Sequence, residues 1–119
     1  MKVRGFRDLE VWQRGKGIAL AIYQATARFP QGELYGMVAQ MRRAAVSIPS
    51  NVAEGFNRFH NRDYRRVLFV ALGSCGELET QVEISCDLGY LDTVSRTHLL
   101  EELDHESRML RNLVKKLSA

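Results

Sequence analysis

Glu102 and His105 stand three residues apart in a segment of helical periodicity, the spacing with which di-iron helical bundles bring a carboxylate and an imidazole to one metal. Such a centre takes a Glu-x-x-His pair from each of two helices and a lone Glu from each of two others, and the pair occurs here once. With Leu103 in the middle of the inward stripe, His105 falls about 200° around the helix and faces outward. His98, Glu101 and His105 share that outer face, but two histidines seven residues apart are separated by two turns and cannot chelate one ion alone. His60 has no neighbouring ligand. A solvated charged face accounts for these side chains, and no metal or cofactor is expected. Nucleophiles fare no better. Ser47, Ser50, Ser74, Cys75 and Cys86 lack a glycine-framed elbow and a histidine nearby in sequence, and no phosphate-cradling loop occurs. Gly73 and Gly76 interrupt a segment whose flanks keep the helical period, which reads as room for close helix approach. No catalytic residue is expected, and the chain reads as a protein that binds and assembles instead of an enzyme.

The arginines are the remaining chemistry. Arg42 and Arg43 are adjacent, and Arg58, Arg62, Arg65 and Arg66 are spaced i, i+4, i+7, i+8. On a nearly continuous helix the latter four share one face, with Asn57, His60 and Asn61 beside them. A planar guanidinium matches phosphate in a paired geometry, so these six are the candidate nucleic-acid contacts. The same charges serve equally as solvated surface, or as ion pairs between subunits with the acidic third helix. Phe59 and Tyr64 have the types to stack on bases, but their spacing suits the core.

Helices must position all of these groups. Only Pro30 and Pro49 interrupt 119 residues, and no alternation is long enough for a strand. From Asp8 as N-cap, Leu9, Trp12, Lys16, Ala19, Leu20, Tyr23 and Ala27 form one stripe ending before Phe29-Pro30-Gln31-Gly32, predicting a first helix. Leu34, Val38, Met41, Ala45, Ile48, Val52, Phe56 and Phe59 predict a second, with Pro49 inside it and a kink near Ala45-Val46. Ser47, Ser50 or Asn51, with Glu54 as a further candidate, is then expected to bond backbone groups freed by that kink. The third helix runs from about Asn61 to the stop at Gly89, with Tyr64, Val67, Leu68, Ala71, Ser74, Cys75, Leu78, Val82 and Ser85 inward. The fourth follows the turn Tyr90-Leu91-Asp92-Thr93, with Leu99, Leu100, Leu103, Leu110, Leu113, Val114 and Leu117 inward. Short connections favour antiparallel neighbours, so the expected fold is all-α, an antiparallel up-and-down four-helix bundle in one domain over residues 1–119. Helix one carries a second apolar face. Val11, Ile18, Ile22 and Phe29 lie opposite Leu9 and Ala27, and they are the expected interface of a homo-oligomer.

The bulk numbers leave these readings room. The net charge of +3 comes from 17 Lys and Arg against 14 Asp and Glu, too small to require a polyanion. It is unevenly spread: residues 1–31 hold six basic and two acidic groups, residues 61–90 three basic and five acidic. The opening Met1-Lys2-Val3-Arg4-Gly5-Phe6-Arg7 leads into an amphipathic segment, with no secretory pattern and no membrane-length apolar run later, so a cytoplasmic protein without membrane contact is expected. Cys75 and Cys86 are eleven residues apart on one helix, about 16 Å along its axis, out of disulfide reach.

Several strings, taken in order, resemble a known family. They are Phe6-Arg7-Asp8-Leu9-Glu10-Val11-Trp12-Gln13, Phe29-Pro30, Glu33-Leu34-Tyr35-Gly36, the run from Gln40 to Gly55 containing Ser47-Ile48-Pro49-Ser50-Asn51-Val52-Ala53-Glu54, the run from Ala71 to Gln81, and Leu88-Gly89-Tyr90-Leu91. Together they resemble the bacterial four-helix bundles encoded in intervening sequences of 23S ribosomal RNA genes. The resemblance implies a bundle assembled into a ring, a homopentamer. It also implies kinship with the accessory variability determinant of diversity-generating retroelements, a basic pentamer that associates with reverse transcriptase and nucleic acid. It brings no catalytic residues. Two functions are therefore expected as alternatives: an oligomer that engages RNA through Arg42, Arg43, Arg58, Arg62, Arg65 and Arg66, or a scaffold that recruits a protein partner without nucleic acid.

Overall fold

The apolar periodicities pack as four helices in the computed structural model, which describes residues 2–118. The first, α1 (Glu10–Thr26), follows a short 3-10 turn at Phe6–Asp8. Asp8 does not cap it. Its carboxylate turns back to accept the Arg4 N–H at 2.8 Å, and Leu9 occupies the cap position without a side-chain bond. After Pro30, a 3-10 turn at Gln31–Glu33 and a wide helical turn at Leu34–Val38 lead into α2 (Ala39–Phe56). The departure from helical geometry in this stretch falls at Gly36, with φ −108° and ψ −108°, and α2 runs on as helix through Pro49. The polar neighbours of Pro49 divide their work. Asn51 Nδ2 donates to the Ser47 carbonyl at 2.8 Å and to Ser47 Oγ at 3.0 Å, and Ser47 Oγ bonds Ser74 Oγ at 2.8 Å. Ser50 is exposed and Glu54 pairs with Arg58.

The third helix, α3 (Asn61–Asp87), stops at Gly89, whose φ of 82° suits a residue without a β-carbon. The Tyr90 N–H reaches the Ser85 carbonyl at 2.8 Å and the Gly89 N–H that of Cys86 at 3.0 Å, a Schellman stop. Asp92 then caps α4 (Thr93–Lys116), accepting the Ser95 N–H at 2.7 Å.

Successive helices pack against one another and α4 closes onto α1, giving a four-helix bundle 45 × 25 × 22 Å. Ile22, Met41, Ile48, Leu68, Leu78, Leu103 and Leu110 fill its centre. At roughly 1.5–3 kcal/mol for each large aliphatic side chain taken from water, this layer is the main stabilising contribution.

The face of α1 at the centre of this core is the opposite of the expected one, while Leu9, Trp12 and Ala19 of the expected stripe are half-buried against its edge. Val11, Ile18, Ile22 and Phe29, expected to meet another subunit, are at most 8% exposed and belong to the chain's own core. Leu20, Tyr23, Lys16 and Ala27, expected inside, are exposed. Two physical reasons select the buried face. Val11, Ile18, Ile22 and Phe29 carry no polar tips and the one hydroxyl buried with them, Thr26, bonds the Ile22 carbonyl at 2.7 Å, whereas Lys16, Trp12 and Tyr23 each have a tip that needs water or a partner. The buried face also holds Gly15, where a β-carbon would come within 3.4 Å of the Pro49 nitrogen, so α1 and α2 approach closely there.

Candidate functional site

Turning α1 over moves its aromatic stripe to the surface. Phe6, Trp12, Leu20 and Tyr23 join Val46 and Pro49 of α2 around an apolar groove of about 520 Å³. Phe6 and Trp12 pack with ring centroids 5.3 Å apart, and the Lys16 ammonium stands 5.6 Å over the indole. A second recess of about 540 Å³ shares Tyr23 and Val46 and adds Leu34, Tyr35, Arg42 and Arg43. Tyr35 is 92% exposed. Together they form an apolar surface with cations on its rim.

α3 bears a second apolar strip on the side away from the core. Phe69, Val70, Ile84 and Leu88 are exposed there, along with Gly73 and Thr80. A β-carbon at Gly73 or Gly76 would meet nothing within 4 Å, so these glycines do not serve close packing inside the bundle, as their sequence setting implied.

The six arginines do not form one patch. Arg42 lies 4.5 Å over the Tyr23 ring and its Nε donates to Thr26 Oγ1 at 3.0 Å. Arg43 pairs with Glu77 at 3.3 Å. About 20 Å of α2 separates them from the other four. Arg58 is held by Glu54, and the Arg65 guanidinium lies 5.9 Å from the Phe69 ring. Arg62 and Arg66, with His60 and Asp63, line a polar recess of about 570 Å³ and make no ion pair among the described residues. Phe59, expected in the core, projects beside this recess with its side chain 99% exposed and its ring 6.1 Å from that of His60. It sits beyond the end of α2, where helical periodicity no longer governs where a side chain points.

On α4, His105 is exposed and Glu102 accepts from Arg14 at 3.0 Å, so the pair does not converge on one point. The next carboxylate is the one the sequence reasoning passed over. Glu106 is fully buried, and neither carboxyl oxygen has a hydrogen-bond partner. Loss of water pushes its pKa up to about 8, against the pull of Arg14 and with a smaller push from Glu102. The signal was present in the spacing: Leu99, Leu103, Glu106 and Leu110 follow the i, i+4, i+7, i+11 pattern of a buried seam. Cys75 is buried, and burial raises its thiol to about 12 despite a hydrogen bond with Ser107. A thiol so rarely ionised is a packing residue, not a nucleophile. Among the described residues, no helix is long and apolar enough to cross a membrane.

Comparison with known proteins meets this geometry at the level of family and fold. A family model described as 23S rRNA-intervening sequence protein matches residues 7–112. No curated protein matches the chain. Among solved structures, a protein of unknown function from the S23 ribosomal protein family of Bacteroides thetaiotaomicron superposes with a TM-score of 0.80. The match covers 88% of this chain and 98% of that one at 19% identity, and at that identity the likeness concerns the fold.

Proposed function

We propose that the chain, which belongs to the 23S rRNA-intervening sequence protein family, works in the cytoplasm as a non-enzymatic, self-assembling bundle whose arginines hold nucleic-acid phosphates. The observation that carries this reading is the pair of unlike apolar surfaces on one small chain, the groove of α1 and α2 and the outer strip of α3. Contiguous exposed apolar surface is a mark of interaction sites. The two differ in shape and in surrounding charge. Lys16, Arg42 and Arg43 edge the α1–α2 surface, while the strip has Arg65 against Phe69 at one end and, along the rest, Asp87 with Glu77 and Glu83, which pair with Arg43 and Arg96 of the same chain. A strip that docks into the groove of the next copy makes a head-to-tail contact, which gives a ring when the rotation between copies closes and a filament when it does not. The ring proposed has five copies, the number implied by the family resemblance, and presents five copies of the Arg62–Arg66 recess with Phe59 beside it, multiplying a weak phosphate site.

Light scattering or sedimentation at micromolar concentration tests the assembly, and a protomer mass for the parent rejects it. Leu20→Asp in the groove and Ile84→Asp on the strip should each give protomers. Mixed together they should give a one-to-one heterodimer, because each supplies the face that the other has lost. A mixture that stays monomeric while the parent assembles rejects the head-to-tail pairing.

A further inference from the structure

The interior of the bundle holds a carboxyl group with no evident structural duty. Glu106 on α4 is fully buried and its two oxygens are unpartnered. The space it occupies comes from Gly15 of α1, since a β-carbon there would lie 2.9 Å from Glu106 Oε2, 3.3 Å from Ile48 Cγ2 and 3.4 Å from the Pro49 nitrogen. The carboxyl and the proline nitrogen thus meet across the same glycine. Pro49 is the residue of α2 that has no N–H to give, and in an α-helix the group it deprives is the carbonyl four residues earlier, Ala45. A neutral carboxylic acid carries the donor that this backbone lacks, whereas a carboxylate has only acceptors. Pro49 also lines the apolar groove.

We infer that Glu106 is a proton-controlled latch: neither oxygen is bonded in the arrangement described, a small turn of the neutral carboxyl gives its O–H to the Ala45 carbonyl of α2, and loss of that proton loosens α2 beneath the groove. The charged and titratable groups that face it are Arg14 from α1, Glu102 on its own helix, and Cys75 from α3. From α2, Ile48 and Pro49 lie beside the same glycine, and neither is charged. Arg14 is engaged by Glu102 at 3.0 Å, yet its Nε is buried without an acceptor. An ionised Glu106 therefore has a counterion at hand, and taking it pulls α4 and α1 away from the proton-bearing arrangement.

The pH dependence has a fixed sign. The Glu106 pKa is raised from 4.5 to about 8 in the fold, so between these values the folded chain keeps a proton that the unfolded chain has lost, and raising the pH favours unfolding. Below the interval both states carry the proton, and above it neither does. The inference does not depend on self-assembly, and its test reads the protomer interior. Carbon-13 NMR titration of the parent should show the Glu106 carboxyl carbon moving with a midpoint near 8, and the Ala45 carbonyl carbon moving with it. Fluorescence of Trp12, the chain's single tryptophan and a wall of the groove, should change with the same midpoint. Glu106→Gln should abolish that change. The ratio of parent to Glu106→Gln unfolding constants should rise by up to about tenfold per pH unit from 5 to 8 and then level off. A carboxyl midpoint in the ordinary range near 4.5 overturns the latch, as does an Ala45 carbonyl that ignores the titration. A Trp12 signal that stays flat while the carboxyl titrates overturns the link to the groove.

Discussion

At Gly55 a single hydrogen atom is all that the space between α2 and α3 admits. An added β-carbon would lie 2.6 Å from Tyr64 Cδ1 and 2.7 Å from Val67 Cγ2, so ring and methyl must both move. Overpacking of this kind costs about 1–3 kcal/mol, while alanine returns up to about 1 kcal/mol of helix propensity. Gly55→Ala is therefore expected to lower stability by roughly 1–2 kcal/mol in urea denaturation. Gly17 supplies the contrast. It is exposed on α1 with nothing within 4 Å of its would-be β-carbon, and Gly17→Ala should stabilise by about 0.5–1 kcal/mol. Equal effects at the two sites would contradict the packing described between α2 and α3. The two glycines cannot be told apart by type, because what distinguishes them is which atoms another helix brings near.

Among the elements, α4 shows how much local chemistry can settle. Asp92 after the Schellman stop is a good N-cap by type, and its carboxylate accepts the Ser95 N–H. That backbone hydrogen bond leads the causes that hold its pKa below the usual aspartate value. A lowered folded pKa means stability that is present above the unfolded pKa and lost as pH falls through the folded one. Asp92→Ala should therefore lower the urea midpoint at pH 7, Asp92→Asn should lower it less, and the gap between parent and Asp92→Ala should close as pH drops below 3.8. A gap independent of pH would show that the carboxylate does not cap the helix. In α1 local chemistry misled. Two apolar stripes were both legible in the sequence, but the choice between them rests on Gly15, whose value lies in contact with Pro49 and Glu106 of other helices. The expectation that Asp8 starts the helix failed for a related reason: its carboxylate has an alternative partner in the Arg4 N–H.

For the whole molecule, the proposed nucleic-acid contacts have a measurable signature. Arg62, Arg65 and Arg66 offer charge without a base-reading motif, so binding should be mainly to phosphate and fall steeply with salt. Replacing the three with alanine should flatten log K against log salt by roughly one unit or less per lost contact per protomer. Replacing Arg108 and Arg111 on α4 should do less, since Arg108 is already paired with Asp104 at 2.6 Å. If structured RNA binds the triple variant as tightly as the parent, the arginines serve contacts within the protein, as Arg43 and Arg58 do, and a protein-recruiting scaffold becomes the better account.

Hydrophobic periodicity, the Gly89 stop and the turn at Tyr90-Leu91-Asp92-Thr93 determined by sequence alone that four helices form, and short connections determined their antiparallel order, because turns and periodicity act within a few residues of chain. The inward faces of α3 and α4 were legible for the same reason, and Leu99, Leu103 and Leu110 fall inside as their spacing requires. Only the tertiary structure decided which stripe of α1 is core and which is surface, and hence that the exposed face is the aromatic one. It also separated the six arginines into two groups, sent Phe59 into solvent and enclosed Glu106. Each of those outcomes depends on which atoms of distant residues arrive at one point, and free energies of burial are set by that meeting of surfaces.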